Sequence, residues 1–234
     1  MSPRNAFLTL VTVIVSALTL LFHGTALAGP GVDKQRELFS QVYADAERGT
    51  WASVDALSAG DRALLQEYVL WPDLRAAWYR ATMRTTDRDS LEAFLERHGT
   101  LKPARELRYS YALHLAASGQ LDRFLRIYRA YYQGLGVARL DCTALHAEIE
   151  AGSGDRIVNR GRNLWLTGRS QAKECDPVFA YMREQNQLTE DDYRARFALA
   201  VEAREFRRAR WLARSLDDVL AEQANDWLRA QSRP

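Results

Sequence analysis

The chain has 234 residues, 47% of them hydrophobic, and 32 Lys and Arg stand against 30 Asp and Glu for a net charge of +2. That length carries one large domain or two small ones, and the near-neutral balance excludes a charge-driven binder of nucleic acid or acidic lipid. The basic residues are nearly all Arg, and the cluster Arg204, Arg207, Arg208 and Arg210 reads as a solvated helix face.

Residues 1–28 read as a secretory signal. Arg4 supplies the positive start, Ala6 to Phe22 is an uninterrupted apolar and hydroxyl run, and Ala26-Leu27-Ala28 offers the small residues a signal peptidase recognises. Cleavage is expected after Ala28. The competing reading is an uncleaved membrane anchor, the one route by which the chain would touch a membrane. Either way the remainder is exported, so Cys142 and Cys175 sit in an oxidising compartment as an even number and are expected to pair. Such a bond would contribute about 3 to 4 kcal/mol in the chain-entropy model; two free buried thiols are the alternative.

From Asp33 onward apolar residues recur at three and four, not at two. Leu107, Tyr111 and Leu115 do so in one segment, Ile157, Val158, Gly161, Leu164 and Trp165 in another, and Tyr193, Phe197, Ala200 and Val201 in a third. The prediction is an all-α chain of ten to twelve helices. Asp61 is expected as one N-cap, Asp89 or Ser90 as another, and Pro72 and Pro103 in first turns. Gly49, Gly60, Gly99, Gly119, Gly134, Gly152 and Gly168 are expected just past helix ends. Gly161 faces inward and lets a neighbouring helix approach.

Helix pairs set at Pro103 to Gln133, Ala138 to Thr167 and Asp176 to Arg204 recur with a period in the mid-thirties. The turn Ala117-Ser118-Gly119-Gln120-Leu121-Asp122 returns as Ala151-Gly152-Ser153-Gly154-Asp155-Arg156. Two helices per mid-thirties unit is the pattern of a right-handed α-superhelix, a tetratricopeptide-like solenoid of short antiparallel pairs. The aromatic residues Trp78, Tyr79, Tyr109, Tyr111, Tyr128, Trp165, Phe197, Phe206 and Trp211 are read as packing between such pairs, and one of Tyr131 and Tyr132 as exposed, since neighbours cannot share a helix face. No linker divides the chain, so residues 29–234 are expected to form a single domain, loosening after about Ala230.

No catalytic set is found. His98, His114 and His146 lie on separate predicted helices without zinc spacing. Asp191-Asp192, Asp217-Asp218 and Glu148 with Glu150 are the close carboxylates, but sequence neighbours diverge by about 100° around a helix and cannot face each other as glycosidase carboxylates do. No cofactor is implied.

The run Leu164-Trp165-Leu166-Thr167-Gly168-Arg169-Ser170-Gln171, followed by Cys175-Asp176 and Phe179, resembles the non-catalytic superhelical N-terminal region of the soluble lytic murein transglycosylases of Gram-negative bacteria. Cys142 matches a paired cysteine of that family, and Tyr68, Trp71-Pro72-Asp73-Leu74 and Tyr79 look like a degenerate version of its early segment. The resemblance implies a periplasmic protein of peptidoglycan turnover. In the full family a lysozyme-like domain follows, where one glutamate acts as general acid and then base to cleave the bond between N-acetylmuramic acid and N-acetylglucosamine. The Glu-Ser dipeptide and the Gly-x-Met-Gln-like segment of that domain do not occur in residues 29–234, so the catalytic domain is expected to be absent and no catalytic residue is carried over. The implied partners are peptidoglycan or a lysozyme-like catalytic domain. A periplasmic tetratricopeptide-like adaptor that binds protein is the alternative.

Overall fold

The computed structural model describes residues 30–231. The predicted signal, residues 1–28, and residues 232–234 lie outside the described residues. All regular structure in the described part is helical: thirteen α-helices and two short 3-10 turns. None of the described helices is long and apolar enough to cross a membrane. The described residues divide into two compact units, which meet between Leu107 and Arg108.

The first unit holds α1 (Pro30–Glu47), α2 (Ala52–Asp55), α3 (Ala59–Gln66), α4 (Trp71–Thr82), α5 (Arg88–His98) and the start of α6 (Lys102–Ala117). Leu38, Val42 and Ala46 recur every fourth residue along α1, and this stripe is buried against Val54, Leu65 and Leu74. The caps lie two or three residues earlier than expected. Ser58, not Asp61, caps α3, accepting from the Asp61 backbone N–H at 3.1 Å. Asp87, not Asp89 or Ser90, caps α5 by accepting from the Ser90 N–H at 2.9 Å. Both caps put a small side chain in extended backbone where helical N–H groups lack partners. Gly60 lies inside α3, and Gly99 has ordinary right-handed backbone. Pro72 and Pro103 fall in first turns as predicted.

The second unit contains α7 (Leu121–Tyr131), α8 (Ala138–Glu150), α9 (Val158–Trp165), α10 (Asp176–Glu184), α11 (Glu190–Glu202), α12 (Phe206–Ala213) and α13 (Asp218–Gln231). The predicted pairs are therefore α6 with α7, α8 with α9 and α10 with α11, and α12 with α13 adds a fourth. The turn inside each of the first three pairs is built alike. A residue of positive φ stands at Gly119, Gly152 and Asn186, and the next N–H returns to the carbonyl five residues back: Gln120 to Leu115, Ser153 to Glu148 and Gln187 to Met182. This is the Schellman closure of a helix end.

Trp165, fully buried, centres the core of this unit. Its ring lies 5.2 Å from Phe179, 5.2 Å from Tyr193 and 6.1 Å from Trp211, and its indole N–H donates to the Asp192 carbonyl at 3.1 Å. Cys142 on α8 and Cys175 just before α10 form a disulfide, both fully buried, with Cα atoms 4.8 Å apart. Asp176 is the first residue of α10, and Trp211 is 43% exposed despite its contact with Trp165. Helix α9 ends at Trp165, before Gly168, whose role is a close approach to α11.

Candidate functional site

The residues that sequence reasoning examined for chemistry are placed apart and structurally employed. Asp192 closes a capping box with Thr189 and pairs with Arg162 at 3.1 Å. Asp217 accepts from the Val219 N–H at 2.7 Å at the start of α13, and Glu148 holds Arg160 through two guanidinium contacts. His146 lies 3.8 Å from Glu150 on the same helix. Among the described residues no three His, Cys, Asp or Glu side chains gather where a metal ion would need them.

Three clefts distinguish themselves by what their polar groups already do. One, of about 360 Å³, includes Arg139, Glu174, His146 and Glu150, and Arg139 donates to Glu174 at 2.8 Å. A second, of about 430 Å³, includes Tyr128, Asp141 and Arg160. There the Tyr128 hydroxyl donates to Asp141 at 2.8 Å, and its pKa is raised by burial and by that carboxylate. In both, charge meets charge inside the protein.

The third cleft, in the first unit, is different. It measures about 430 Å³ and is lined by Trp71, Arg75, Tyr79, Phe94, Arg97 and His98, with Gln66, Ser90 and Ala93 completing the wall. Helix geometry brings these together. Trp71, Arg75 and Tyr79 are spaced by four on α4, and Phe94, Arg97 and His98 by three and four on α5, so each helix turns one face to the cleft. The wall holds three basic side chains and no acidic one.

Arg75 is held firmly. Its guanidinium carbon lies 4.9 Å from the centroid of Tyr79, 5.4 Å from Trp51 and 5.5 Å from Trp78. One amino group donates to the Tyr79 hydroxyl at 2.5 Å, and that hydroxyl donates to the Ser90 carbonyl at 3.3 Å. Three rings hold the cation by their quadrupoles, and among the described residues one of its five guanidinium donors has a hydrogen-bond partner, the Tyr79 hydroxyl. Arg97 is exposed at the rim. Neither arginine forms an ion pair with a carboxylate of the described residues. The His98 ring rests 4.9 Å from Phe94, and its pKa is pushed below the usual histidine value by burial first, then by the charges of Arg97 and Arg75. The site is thus electropositive, aromatic-walled and uncompensated.

Arg75, Phe94 and Arg97 were not singled out from sequence. The available signal was an arginine inside an aromatic stripe, Trp71, Arg75, Trp78 and Tyr79, at helical spacing.

No family model matches the chain. The soluble lytic murein transglycosylase of Escherichia coli K12 is 23% identical over 199 residues, 82% of this chain and 28% of that protein. Its counterpart in Salmonella typhimurium is 22% identical over 199 residues. Among solved structures, the 70 kDa soluble lytic transglycosylase of E. coli superposes with a TM-score of 0.70 at 22% identity, covering 83% of this chain and 31% of that one. An inactive mutant of the lytic transglycosylase Slt from Pseudomonas aeruginosa gives a TM-score of 0.69 at 29% identity, covering 81% and 30%. The chain spans less than a third of the length of these relatives, and over most of its own length it is similar to the N-terminal part of the soluble lytic murein transglycosylases and shares its fold there.

Proposed function

We propose that the exported chain is a non-catalytic binding module of peptidoglycan turnover in the periplasm, positioning glycan strands for a lysozyme-like catalytic domain. The observation that carries this reading is the first-unit cleft. Its two arginines pair with no carboxylate of the described residues, and the partly exposed Trp71 ring on its wall suits the apolar face of a sugar. A solenoid of this kind supplies grip and orientation, which is what a hydrolytic or lytic partner gains from a held substrate.

Sedimentation with purified cell-wall sacculi tests the reading. The protein lacking residues 1–28 is expected to pellet with sacculi and to stay in solution without them. Failure to pellet, together with crosslinking that recovers only protein partners, overturns it in favour of the tetratricopeptide-like adaptor.

A further inference from the structure

The surroundings of Arg196 point to a site of another kind, within the second unit: we infer that its guanidinium, together with those of Arg208 and Arg183, binds a small oxyanion of the phosphate class. The inference does not depend on what the first-unit cleft holds.

The physical case begins with burial. Arg196, on α11, is 2% exposed, and its guanidinium carbon lies 4.0 Å from the Trp165 centroid and 5.3 Å from that of Phe179. Its Nε is buried without a hydrogen-bond partner, and among the described residues the guanidinium has neither a hydrogen bond nor an ion pair. Arginines this deep in a protein are almost always paired, because an isolated charge is costly to remove from water. The two rings offset part of that cost through their quadrupoles, but they occupy none of the planar donors. An anion would.

Two more arginines stand nearby. Arg183 follows Phe179 by one turn on α10, and Arg208 precedes Trp211 by one turn on α12. Both of those rings pack on Trp165, the ring that Arg196 overlies. The Nε of Arg208 is also buried and without a partner, so this residue departs from the solvated face expected of its cluster. Neither Arg208 nor Arg183 pairs with a carboxylate of the described residues, and the charges that bear on Arg196 are those of these two arginines, with no carboxylate among them.

Charge and size then select the ligand. Three cations without a counter-ion repel one another, and a phosphate dianion neutralises more of that charge than a single carboxylate does. Its oxygens also match the guanidinium fork, two parallel hydrogen bonds at a time. The first turn of α12 carries no acidic side chain, although the helix dipole favours negative charge there. With Arg196 so enclosed and Arg183 exposed, the ligand must present a compact head. Free phosphate and a phosphoryl group carried on a small polyol share this chemistry.

Thermal melting of the exported chain, with titration calorimetry beside it, tests the inference. The probes are inorganic phosphate, glycerol phosphate, and sodium chloride at matched ionic strength, which relieves repulsion by screening alone. Phosphate at about 10 mM is expected to raise the Tm by about 3 °C or more over chloride. Arg196→Met and Arg208→Gln are each expected to weaken phosphate binding by about tenfold or more, the worth of a charged hydrogen bond. Arg194→Gln, which removes an exposed arginine already paired with Glu190 at 2.6 Å, is expected to keep the full phosphate response.

Glycerol phosphate acting as strongly as phosphate would identify a carried phosphoryl group as the ligand, and phosphate acting alone would identify the free ion; either supports the site. Equal melting in phosphate and chloride, or a phosphate response that survives both Arg196→Met and Arg208→Gln, overturns it.

Discussion

A Cβ atom on Gly168 would lie 2.2 Å from the main-chain oxygen of Leu199, so the loop after α9 touches α11 backbone to backbone. Gly161 is also crowded, but there the obstacle is the flexible side chain of Met182, with Sδ 2.4 Å from the added atom. The two glycines should respond differently to alanine. A carbonyl on a helix cannot rotate aside, so Gly168→Ala is expected to destabilise by about 3 kcal/mol or more, through overpacking. Gly161→Ala regains roughly 1 kcal/mol of helix propensity and lets Met182 move, so its net cost is expected below about 2 kcal/mol. Urea unfolding of both variants decides the order; a larger loss at Gly161 would contradict it.

The disulfide between Cys142 and Cys175 spans a sequence separation of 33 and is fully buried. Opening it releases a loop in the unfolded chain and leaves two thiols in an apolar core. The double variant Cys142→Ala, Cys175→Ala is expected to lose about 3 to 4 kcal/mol, a fall in Tm on the order of 10 °C for a unit of this size. Thermal melting with and without reductant checks this. The oxidised wild type should resist mild reductant until the second unit begins to unfold, because an attacking thiolate cannot reach a buried bond.

Much of this architecture is legible in the sequence because helices announce themselves locally. The four-residue stripe Leu107, Tyr111 and Leu115 became a buried helix face, and the repeated Gly119 and Gly152 became equivalent turns. What stayed illegible has a common cause. A glycine signals either positive φ or close approach, and sequence does not separate the two, so Gly168 reads as a helix stop although its constraint comes from Leu199, on a distant helix. Asn186 and Arg204 carry out the same turn without glycine, which hides the third repeat of the motif. The cleft is illegible for a related reason: an arginine on an aromatic stripe looks like an ordinary surface cation until the fold shows that no carboxylate of the described residues lines the cleft beside it.

Arg204 takes a φ of 57° at the end of α11, where the Glu205 N–H bonds the Ala200 carbonyl at 2.8 Å. A side chain with a Cβ carries a penalty of about 1 kcal/mol in this left-handed backbone, and its exposed guanidinium forms no ion pair with the described residues to offset it. Arg204→Gly is therefore expected to be neutral or to stabilise by up to about 1 kcal/mol, the greater freedom of glycine in the unfolded chain taking back part of the gain. Arg204→Val should destabilise, because a β-branched residue tolerates that backbone poorly. Chemical denaturation of the pair gives the sign directly.

His98 makes the first unit sensitive to mild acid. Its folded pKa lies below the unfolded value of 6.5, from burial and the facing charges of Arg97 and Arg75. The unfolded chain therefore binds a proton first as pH falls, so the stability present above pH 6.5 declines as pH drops through the window just beneath it. Asp73, whose pKa is raised by burial, has the opposite sign and acts at lower pH, above its unfolded value of 3.8. Denaturation midpoints at pH 7 and pH 5.5 should show a decline in the wild type that His98→Gln reduces. A variant as pH-dependent as the wild type would place the titration elsewhere.

Arg196 presents the sharpest energetic imbalance. It is 2% exposed, its Nε has no hydrogen-bond partner, and its guanidinium lies 4.0 Å from the Trp165 centroid and 5.3 Å from Phe179. Burial, and then the like charges of Arg208 and Arg183, push its pKa down to about 10. The residue is still cationic at neutral pH, and the folded state bears the cost of a desolvated charge until pH rises past that value. Stacking on Trp165 returns about 2 kcal/mol, against a desolvation cost of several kcal/mol for a buried ion. Arg196→Met keeps the length and apolar contact while removing the charge, and is expected to be neutral or to stabilise by about 1 to 2 kcal/mol. Its gain over the wild type should shrink between pH 9 and 11, as the wild-type arginine begins to lose its proton in the folded state. Arg196→Lys, which replaces a planar stacked cation with a compact, strongly hydrated one, is expected to be less stable than both. Urea unfolding of the three proteins across that pH range is the measurement, and a loss of more than about 2 kcal/mol in the methionine variant would show that the guanidinium itself stabilises the core.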